Sequence, residues 1–322
     1  MITQNLLSIP ARLSRQSCRA TAGWTRRRHA FSTSAGTIRA SGDLVQWKVE
    51  PLIGVRHVGT ITLNSPSTYN ALTVEMGQEF STLCQRLSHD ISSGALAVDA
   101  VIVTGQGDKA FSAGGNLDWL RSLRHNSVHA NADLMLRFYQ SFLCIRHLPV
   151  PTVAAMAGPA MGAGAGLALA CDLRLTSTNK RKAPLLGLNF TRLGIHTGMG
   201  AAHLFRHAVP AAGLRNELLL TGRTLLTDEC LNYGLLNRLC DTDDVVAATK
   251  TWLAEEVVGP THPLAVRTLL QTLRAPVEEG LHASLQRDAM AQALCYARDD
   301  WGEGVEAVAQ KRAAVFGGYH DK

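Results

Sequence analysis

The sequence has no apolar run that approaches the ~18–20 residues of a membrane-spanning helix. Its seven cysteines are odd in number, scattered and never spaced as C-x-x-C, so they predict free thiols rather than a disulfide framework or a metal site. The low charged content of 18%, beside 46% hydrophobic residues, is compatible with a sizeable core. These features argue against a membrane-spanning or disulfide-stapled protein and favour an ordinary enzyme.

Acidic residues are missing from the first 40 positions, which contain seven arginines and no lysine. The remaining sequence holds 25 basic and 26 acidic residues, so the formal charge of +6 arises from the first 40 residues. An arginine- and serine-rich, acid-free N-terminus predicts a mitochondrial transit peptide over residues 1–40 and a location in the matrix. A nucleic-acid partner is not expected, because basic residues do not predominate in the body.

Two glycine-rich turns stand out between residues 111 and 172. One covers 111–116 after an apolar strand candidate at 98–104, and the other covers 158–166 after a strand candidate at 152–156. Glycine lets a ligand approach the backbone, and a following helix presents unpaired N–H groups with partial positive charge. Two such turns predict two N–H donors for one oxygen atom. A dinucleotide fingerprint fails, because Leu167 replaces the third glycine of G-x-G-x-x-G.

Several blocks resemble the enoyl-CoA hydratase/isomerase (crotonase) superfamily. They are AFSAGGN (110–116), PTVAAMAG (151–158), GAG (162–164), ACD (170–172), ITLNSP (61–66), NAL (70–72), LG (193–194), LTGR (220–223), YGLLN (233–237), EGV (303–305) and KR (311–312). The resemblance implies an α/β fold, with a crotonase-type spiral of strand-strand-helix units at 41–209 and a C-terminal helical trimerisation portion at 210–322. It also implies an acyl-CoA substrate, no prosthetic group beyond coenzyme A as part of that substrate, no metal, and a homotrimer or dimer of trimers.

Residue patterning predicts the elements around these blocks. Strands are expected at 44–49 and 58–63 around a turn at 51–54, with another strand at 173–177. Apolar residues with helical spacing occur at 70–87 and again at 131–148, where helices are expected. From Pro210 onward the pattern is mostly helical, with breaks at Gly259, Pro260 and Pro263.

The resemblance assigns the two N–H donors to Gly115 and Ala163, which would hold the oxygen of a thioester as it becomes an enolate. Ala163 stands where the family usually has glycine, but it keeps the N–H. Asn116 stands where the family commonly has aspartate, and we expect it to cap a helix that begins near Leu117.

By the same resemblance, coenzyme A lies against the loop 65–72, with Asn70, Ala71, Leu72 and Ala113 as the binding residues. Positions 67 and 68 carry serine and threonine where a basic residue is frequent. Contact with phosphate is therefore either weak or supplied by other residues, for which the candidates are Arg56, Lys311 and Arg312.

The usual acid/base residues are missing. Family hydratases carry two glutamates at the positions of Gly166 and Phe190, and other branches carry an aspartate at the position of Gly198. None of these three residues can transfer a proton. The sequence therefore retains the predicted oxyanion turns without the usual proton carriers.

Several replacements remain open. His196 is a candidate acid/base, because imidazole side chains commonly transfer protons in enzymes, while Thr197 or Asn189 would orient a water molecule. Asp118 is expected to be a solvated carboxylate in the first turn of its helix. A site with no proton-transfer residue is a further alternative.

Two hypotheses for the function follow. One is an acyl-CoA enzyme of mitochondrial fatty-acid or branched-chain metabolism that catalyses hydration, isomerisation, decarboxylation or hydrolysis. Decarboxylation needs an oxyanion site but no general base. The other is a catalytically inactive acyl-CoA-binding or partner subunit, which the residues Gly166 and Phe190 favour.

Overall fold

The computed structural model describes residues 43–317. The strands in this range are β1 (Val45–Ile53), β2 (Arg56–Leu63), β3 (Ala100–Gly105), β4 (Thr152–Met156), β5 (Ala160–Met161), β6 (Leu173–Ser177), β7 (Pro184–Gly187), β8 (Thr224–Leu226) and β9 (Arg238–Cys240). The helices are α1 (Val74–Ser93), α2 (Leu117–Ser122), α3 (Val128–Leu143), α4 (Ala163–Ala170), α5 (Ala201–Ala208), α6 (Ala212–Thr221), α7 (Thr227–Asn232), α8 (Val245–Trp252), α9 (Pro263–Glu278), α10 (Leu281–Tyr296) and α11 (Asp299–Ala309). The predicted α/β class is confirmed, and the predicted transit peptide lies outside the described residues.

Six strands form the main sheet in the order β1-β2-β3-β4-β6-β9. β1 pairs with β2 in antiparallel orientation, and the other neighbours pair in parallel. A smaller sheet contains β5, β7 and β8. Because β3 and β4 are parallel neighbours, the two glycine turns that follow them leave the same edge of the sheet.

Strand β3 is buried along its whole length. Val101 and Val103 belong to the core that contains α1 and α3, whereas Ala100 and Ile102 pack with Val245 of α8 on the opposite face. A parallel strand that is covered on both faces has apolar residues in succession instead of alternation. This burial explains the continuous apolar run that predicted the strand.

Two predicted boundaries are wrong for identifiable reasons. β1 continues through Pro51 to Ile53, instead of ending at a turn over 51–54. β1 is an edge strand, where proline can be accommodated without a central ladder hydrogen bond. Helix α1 starts at Val74 and not near residue 70, because the Thr73 side chain accepts a hydrogen bond from the Met76 N–H at 3.2 Å and caps the helix.

The region after Pro210 is mostly helical, as predicted, and α9 begins at Pro263. It also contributes two strands, since β8 pairs with β7 and β9 extends the main sheet beside β6. The sheets therefore continue across the predicted boundary at 209/210. Within residues 43–317, no helix has the length and apolar character needed to cross a membrane.

Candidate active site

The first glycine turn is held against residue Leu72. The Leu72 N–H donates to the Gly114 carbonyl at 2.7 Å, and the Asn116 N–H donates to the Leu72 carbonyl at 2.9 Å. In this parallel bridge Gly115 lies between the two bonded groups, so its own N–H points away from Leu72. The Gly115 N–H donates to no acceptor among the residues that the structure describes.

The second glycine turn opens helix α4. Gly162 precedes the helix with φ 50 and ψ −117, and its N–H donates to the Gly187 carbonyl at 2.7 Å. Ala163 is the first residue of α4, where an N–H has no partner inside the helix. Across residues 43–317, the Ala163 N–H finds no other acceptor. A predicted donor is therefore left unused in each turn.

The two turns are in direct contact. The Met161 N–H donates to the Ser112 carbonyl at 2.9 Å. A Cβ atom added to Gly114 would lie 2.6 Å from the Met161 oxygen and 3.4 Å from the Ala163 nitrogen. One added to Gly164 would lie 2.6 Å from the Ser112 oxygen. Glycine is needed at both positions for this approach, which brings the Gly114–Gly115 segment next to Ala163.

Asn70 fixes the predicted coenzyme A loop to the first turn. Its buried side chain accepts from the Ser65 N–H at 3.1 Å and donates to the Gln106 and Ala110 carbonyls at 3.1 and 3.0 Å. The Ser112 hydroxyl donates to the Asn70 carbonyl at 2.8 Å. The side chain that the sequence singled out thus shapes the loop.

The carbonyls of this loop differ in their availability. Asn70 and Leu72 use theirs as acceptors for Ser112 and Asn116. The Ala71 carbonyl accepts no hydrogen bond from the described part of the chain. Ala113, which is exposed, donates its N–H to the Tyr69 carbonyl at 2.9 Å. Ala71 therefore offers a free acceptor in the loop that is predicted to bind coenzyme A.

The predicted alternatives for the phosphate contact are partly engaged elsewhere. Arg56 pairs with Asp99 at 2.8 Å and donates to the Thr261 carbonyl at 3.1 Å. Arg312 pairs with Glu303 at 2.5 Å. Lys311 is exposed and adopts a positive φ of 54. Contact of any of them with a phosphate remains a prediction.

Two predictions on helix α2 are confirmed. The Asn116 side-chain oxygen accepts from the Trp119 N–H at 2.9 Å, so Asn116 caps the helix that begins at Leu117. Asp118 has an 86% exposed side chain and pairs with Arg121 at 3.0 Å. Asp118 is therefore a solvated carboxylate, as its position in the first turn of α2 predicted.

The three positions that carry acid/base residues elsewhere in the resembled family are closely packed. A Cβ on Gly166 would lie 2.6 Å from the Met199 Cβ, and Met199 is buried with an unusual positive φ of 60. Phe190 is buried, with ring atoms 3.8 and 3.9 Å from the position of a Cβ on Gly162. A Cβ on Gly198 would lie 2.8 Å from both the Tyr139 hydroxyl and the Gln292 amide nitrogen.

His196 lies beside α10. Its side chain is 45% exposed, and its Nδ1 is 2.8 Å from the Thr197 carbonyl and 3.7 Å from a carboxylate oxygen of Asp288. It lines a cavity of about 580 Å³ with α5 and α10 residues, and neither Gly115 nor Ala163 is part of that lining. The contacts of His196 thus run to α10, and an acid/base role for it remains a prediction.

Asp288 is a titratable residue that the sequence did not indicate. It is 2% exposed, and its carboxylate accepts from the Gly200 N–H at 3.1 Å. Burial raises the pKa of Asp288 to about 7, although the Gly200 hydrogen bond and Arg287 act in the opposite direction. An aspartate next to Arg287 on a helix gives no sequence signal of burial, since the packing of α10 against the 195–200 loop creates it.

The remaining candidates lie close to these groups. Thr197 is buried, and its hydroxyl is 3.5 Å from His196 Nδ1. The Asn189 amide oxygen would lie 3.8 Å from a Cβ on Gly162, at the second glycine turn. Of the two residues predicted to orient water, Asn189 is therefore the one whose side chain lies near the second glycine turn.

Comparison with known proteins extends these observations. A family model for enoyl-CoA hydratase/isomerase matches residues 55–319, which is well over half of the chain. The chain belongs to the enoyl-CoA hydratase/isomerase family. A Thermus thermophilus protein, provisionally named enoyl-CoA hydratase, is 34% identical over 260 residues, which are 81% of this chain and 97% of the relative. The short-chain-enoyl-CoA hydratase of Clostridium acetobutylicum is 27% identical over 255 residues, or 79% and 92% of the two chains.

Solved structures of enoyl-CoA hydratase/isomerase proteins have the same fold. An enoyl-CoA hydratase/isomerase from Pseudoalteromonas atlantica gives a TM-score of 0.67 at 27% identity, covering 85% of this chain and 99% of that one. An enoyl-CoA hydratase from Mycobacterium avium gives 0.69 at 25% identity, covering 85% and 98%. The predicted crotonase-type fold is confirmed. This member of the enoyl-CoA hydratase/isomerase family has glycine or phenylalanine where the resemblance expects carboxylates.

Proposed function

We propose that this chain is an acyl-CoA enzyme of the enoyl-CoA hydratase/isomerase family that uses the Gly115 and Ala163 amides to stabilise a thioester enolate. The observation that carries the proposal is the contact between the two glycine turns, each with an N–H that no described residue accepts. Donors fixed in advance at the place where negative charge develops lower the barrier without further reorganisation. The adenine amine would donate to the free Ala71 carbonyl, beside Asn70, Leu72 and Ala113.

The reaction that best suits the site is decarboxylation of a thioester that bears a carboxylate on its α-carbon. The bond between the α-carbon and the carboxylate breaks, CO₂ leaves, and the electron pair moves into the carbonyl to form the enolate. The α-carbon then takes a proton from water. This route needs the two amides and no carboxylate base, which agrees with the residues at positions 166, 190 and 198. His196 is not required, and it is kept as a candidate proton donor for the final step.

A second candidate is an acyl-CoA-binding or partner subunit without turnover. Met199 favours it, because its side chain occupies the space into which a residue at position 166 would extend. A Cβ on Gly198 would likewise lie 2.8 Å from the Tyr139 hydroxyl and from the Gln292 amide nitrogen. The packing at positions 166 and 198 thus leaves no room for a side chain that could act as a base.

The setting of the function is also part of the proposal. The acid-free, arginine-rich leader supports delivery to the mitochondrial matrix, where fatty-acid or branched-chain acyl-CoA metabolism would supply the substrate. We expect a homotrimer or a dimer of trimers. Light scattering of the purified protein and microscopy of a tagged full chain test these two points directly.

The reaction is tested with a panel of enoyl-, hydroxyacyl- and carboxyacyl-CoA thioesters, followed by mass spectrometry of the products. We expect carboxyacyl-CoA to lose CO₂ and the enoyl thioesters to remain unchanged. A water adduct of an enoyl-CoA would instead establish hydration and direct attention to His196. Binding of acyl-CoA without any product from the whole panel would replace the enzyme by the second candidate.

A further inference from the structure

An aromatic side chain is exposed on the loop 65–72, which is predicted to bind coenzyme A. Tyr69 is 52% exposed, so half of this large residue is open to solvent. Its ring and hydroxyl make no ring contact or hydrogen bond with a described residue. The loop 65–72 contains no charged residue. It therefore presents an aromatic ring to a ligand and no cation.

The backbone of Tyr69 is left-handed, with φ 56 and ψ 37, and Asn70 follows with φ 55. Glycine and asparagine often adopt this conformation, whereas it is an outlier for a bulky aromatic residue. Tyr69 ends the short 3₁₀ turn Pro66–Thr68, and its N–H donates to the Pro66 carbonyl at 3.1 Å. A tyrosine thus stands where glycine or asparagine would end the turn without strain.

Neighbouring groups hold this strained conformation, and the ring takes no part in it. The Tyr69 carbonyl accepts from the Ala113 N–H at 2.9 Å. The buried Asn70 side chain donates to the Gln106 and Ala110 carbonyls and anchors the next residue of the loop. Strained backbone conformations cluster at ligand sites, where the surrounding structure fixes them. The loop therefore fixes the backbone of Tyr69 and leaves its ring available to a ligand.

Tyr69 is next to two groups that the proposed function assigns to coenzyme A. Ala113, which bonds to its carbonyl, stands two residues before the Gly115 donor. Ala71 follows Tyr69 by two residues and has a carbonyl that accepts from no described residue. A purine whose amine donates to the Ala71 carbonyl therefore comes within reach of the Tyr69 ring.

We propose that the Tyr69 ring stacks on the adenine of coenzyme A. The inference rests on the proposed function and adds a specificity-determining residue to its coenzyme A site. Stacking of a base on an aromatic side chain strengthens binding about five- to a hundredfold. It requires no charge on the protein. It therefore compensates for the serine and threonine that occupy positions 67 and 68.

Calorimetric titration of the full chain with coenzyme A and with 4′-phosphopantetheine, which lacks the adenosine, tests the proposal. Tyr69→Asn removes the ring and keeps the loop, because asparagine tolerates a left-handed backbone. We expect it to weaken coenzyme A at least about fivefold and to leave the Kd of 4′-phosphopantetheine unchanged. Tyr69→Phe is the matched control. It retains the stacking surface and should bind coenzyme A within about twofold of the wild type.

Urea unfolding of the same variants separates a binding role from a structural one. Because Tyr69→Asn relieves strain, its urea midpoint should equal or exceed that of the wild type. A lower midpoint would give the ring a structural role and overturn the proposal.

The affinities decide between this inference and the proposed function. Equal coenzyme A affinity in Tyr69→Asn and the wild type would refute the stacking and leave the proposed function in place. A loss in Tyr69→Phe as large as in Tyr69→Asn would assign the contact to the hydroxyl, and it would also refute the stacking. No binding of coenzyme A by the wild type would contradict the inference and the proposed function together.

Discussion

Replacing Ala163 by proline removes one N–H from the proposed oxyanion site and should keep helix α4 intact. Ala163 is the first residue of α4, a position where proline is favoured because its fixed φ suits the helix and no intrahelical bond is lost. The Ala163 N–H donates to no described residue, so the fold loses no hydrogen bond within that range. The variant therefore separates the chemistry of this N–H from its contribution to stability.

The expected loss is large. Removing one oxyanion donor costs roughly 10²–10³ in kcat, or about 3–4 kcal/mol. The assay is the initial rate with the thioester that the product panel identifies. Ala163→Gly is the control, because it retains the N–H, and we expect its kcat to stay within about threefold of the wild type.

The proline ring also takes up space beside the nitrogen, so the Kd of free coenzyme A is measured in parallel. An unchanged Kd with a kcat lowered a hundredfold or more supports a role in the transition state. The reasoning is refuted if Ala163→Pro binds coenzyme A normally and turns over at the rate of Ala163→Gly.

Three further predictions concern packing, protonation and capping. Gly166→Ala should lower the free energy of unfolding by about 1–3 kcal/mol in urea titrations, because its Cβ would lie 2.6 Å from Met199 Cβ, and unchanged stability would contradict this close packing. Asp288→Asn should abolish a fall in stability between about pH 4 and pH 7, worth at most about 4 kcal/mol. The folded pKa of about 7 exceeds the ordinary 3.8, so the native state binds more protons in this window and loses stability as the pH rises. The measurement is thermal unfolding of the wild type and of Asp288→Asn at several pH values in that window. If stability changes with pH equally in the two proteins, the reasoning is wrong. Asn116→Ala should cost about 1 kcal/mol and Asn116→Asp little, since only the alanine removes the cap of α2; equal stabilities would contradict the capping role.

Local signals made much of the fold predictable. The apolar run of β3 marks a strand that is buried on both faces, and the Asn116 side chain marks the start of α2. The glycines of both turns indicated a close approach, which the contact between Gly114 and Met161 bears out. Each of these features depends on neighbours in the sequence or on glycine itself.

Other features depend on contacts that no local pattern encodes. Leu72 has helical spacing with Met76, but it pairs with Gly115, more than 40 residues away. The position of the Met199 side chain over Gly166 follows from a left-handed backbone at a residue that seldom adopts it. Asp288 becomes a buried carboxyl only because α10 packs on the 195–200 loop.

The central claim is that two backbone amides polarise the thioester carbonyl of a bound acyl-CoA. The most direct measurement is the infrared carbonyl band of an acyl-CoA labelled with ¹³C at the thioester carbon, recorded free and bound. We predict that the band moves to lower frequency on binding to the wild type, and that the displacement is smaller in Ala163→Pro than in Ala163→Gly. A saturated complex whose carbonyl band stays at the frequency of the free thioester would contradict the account.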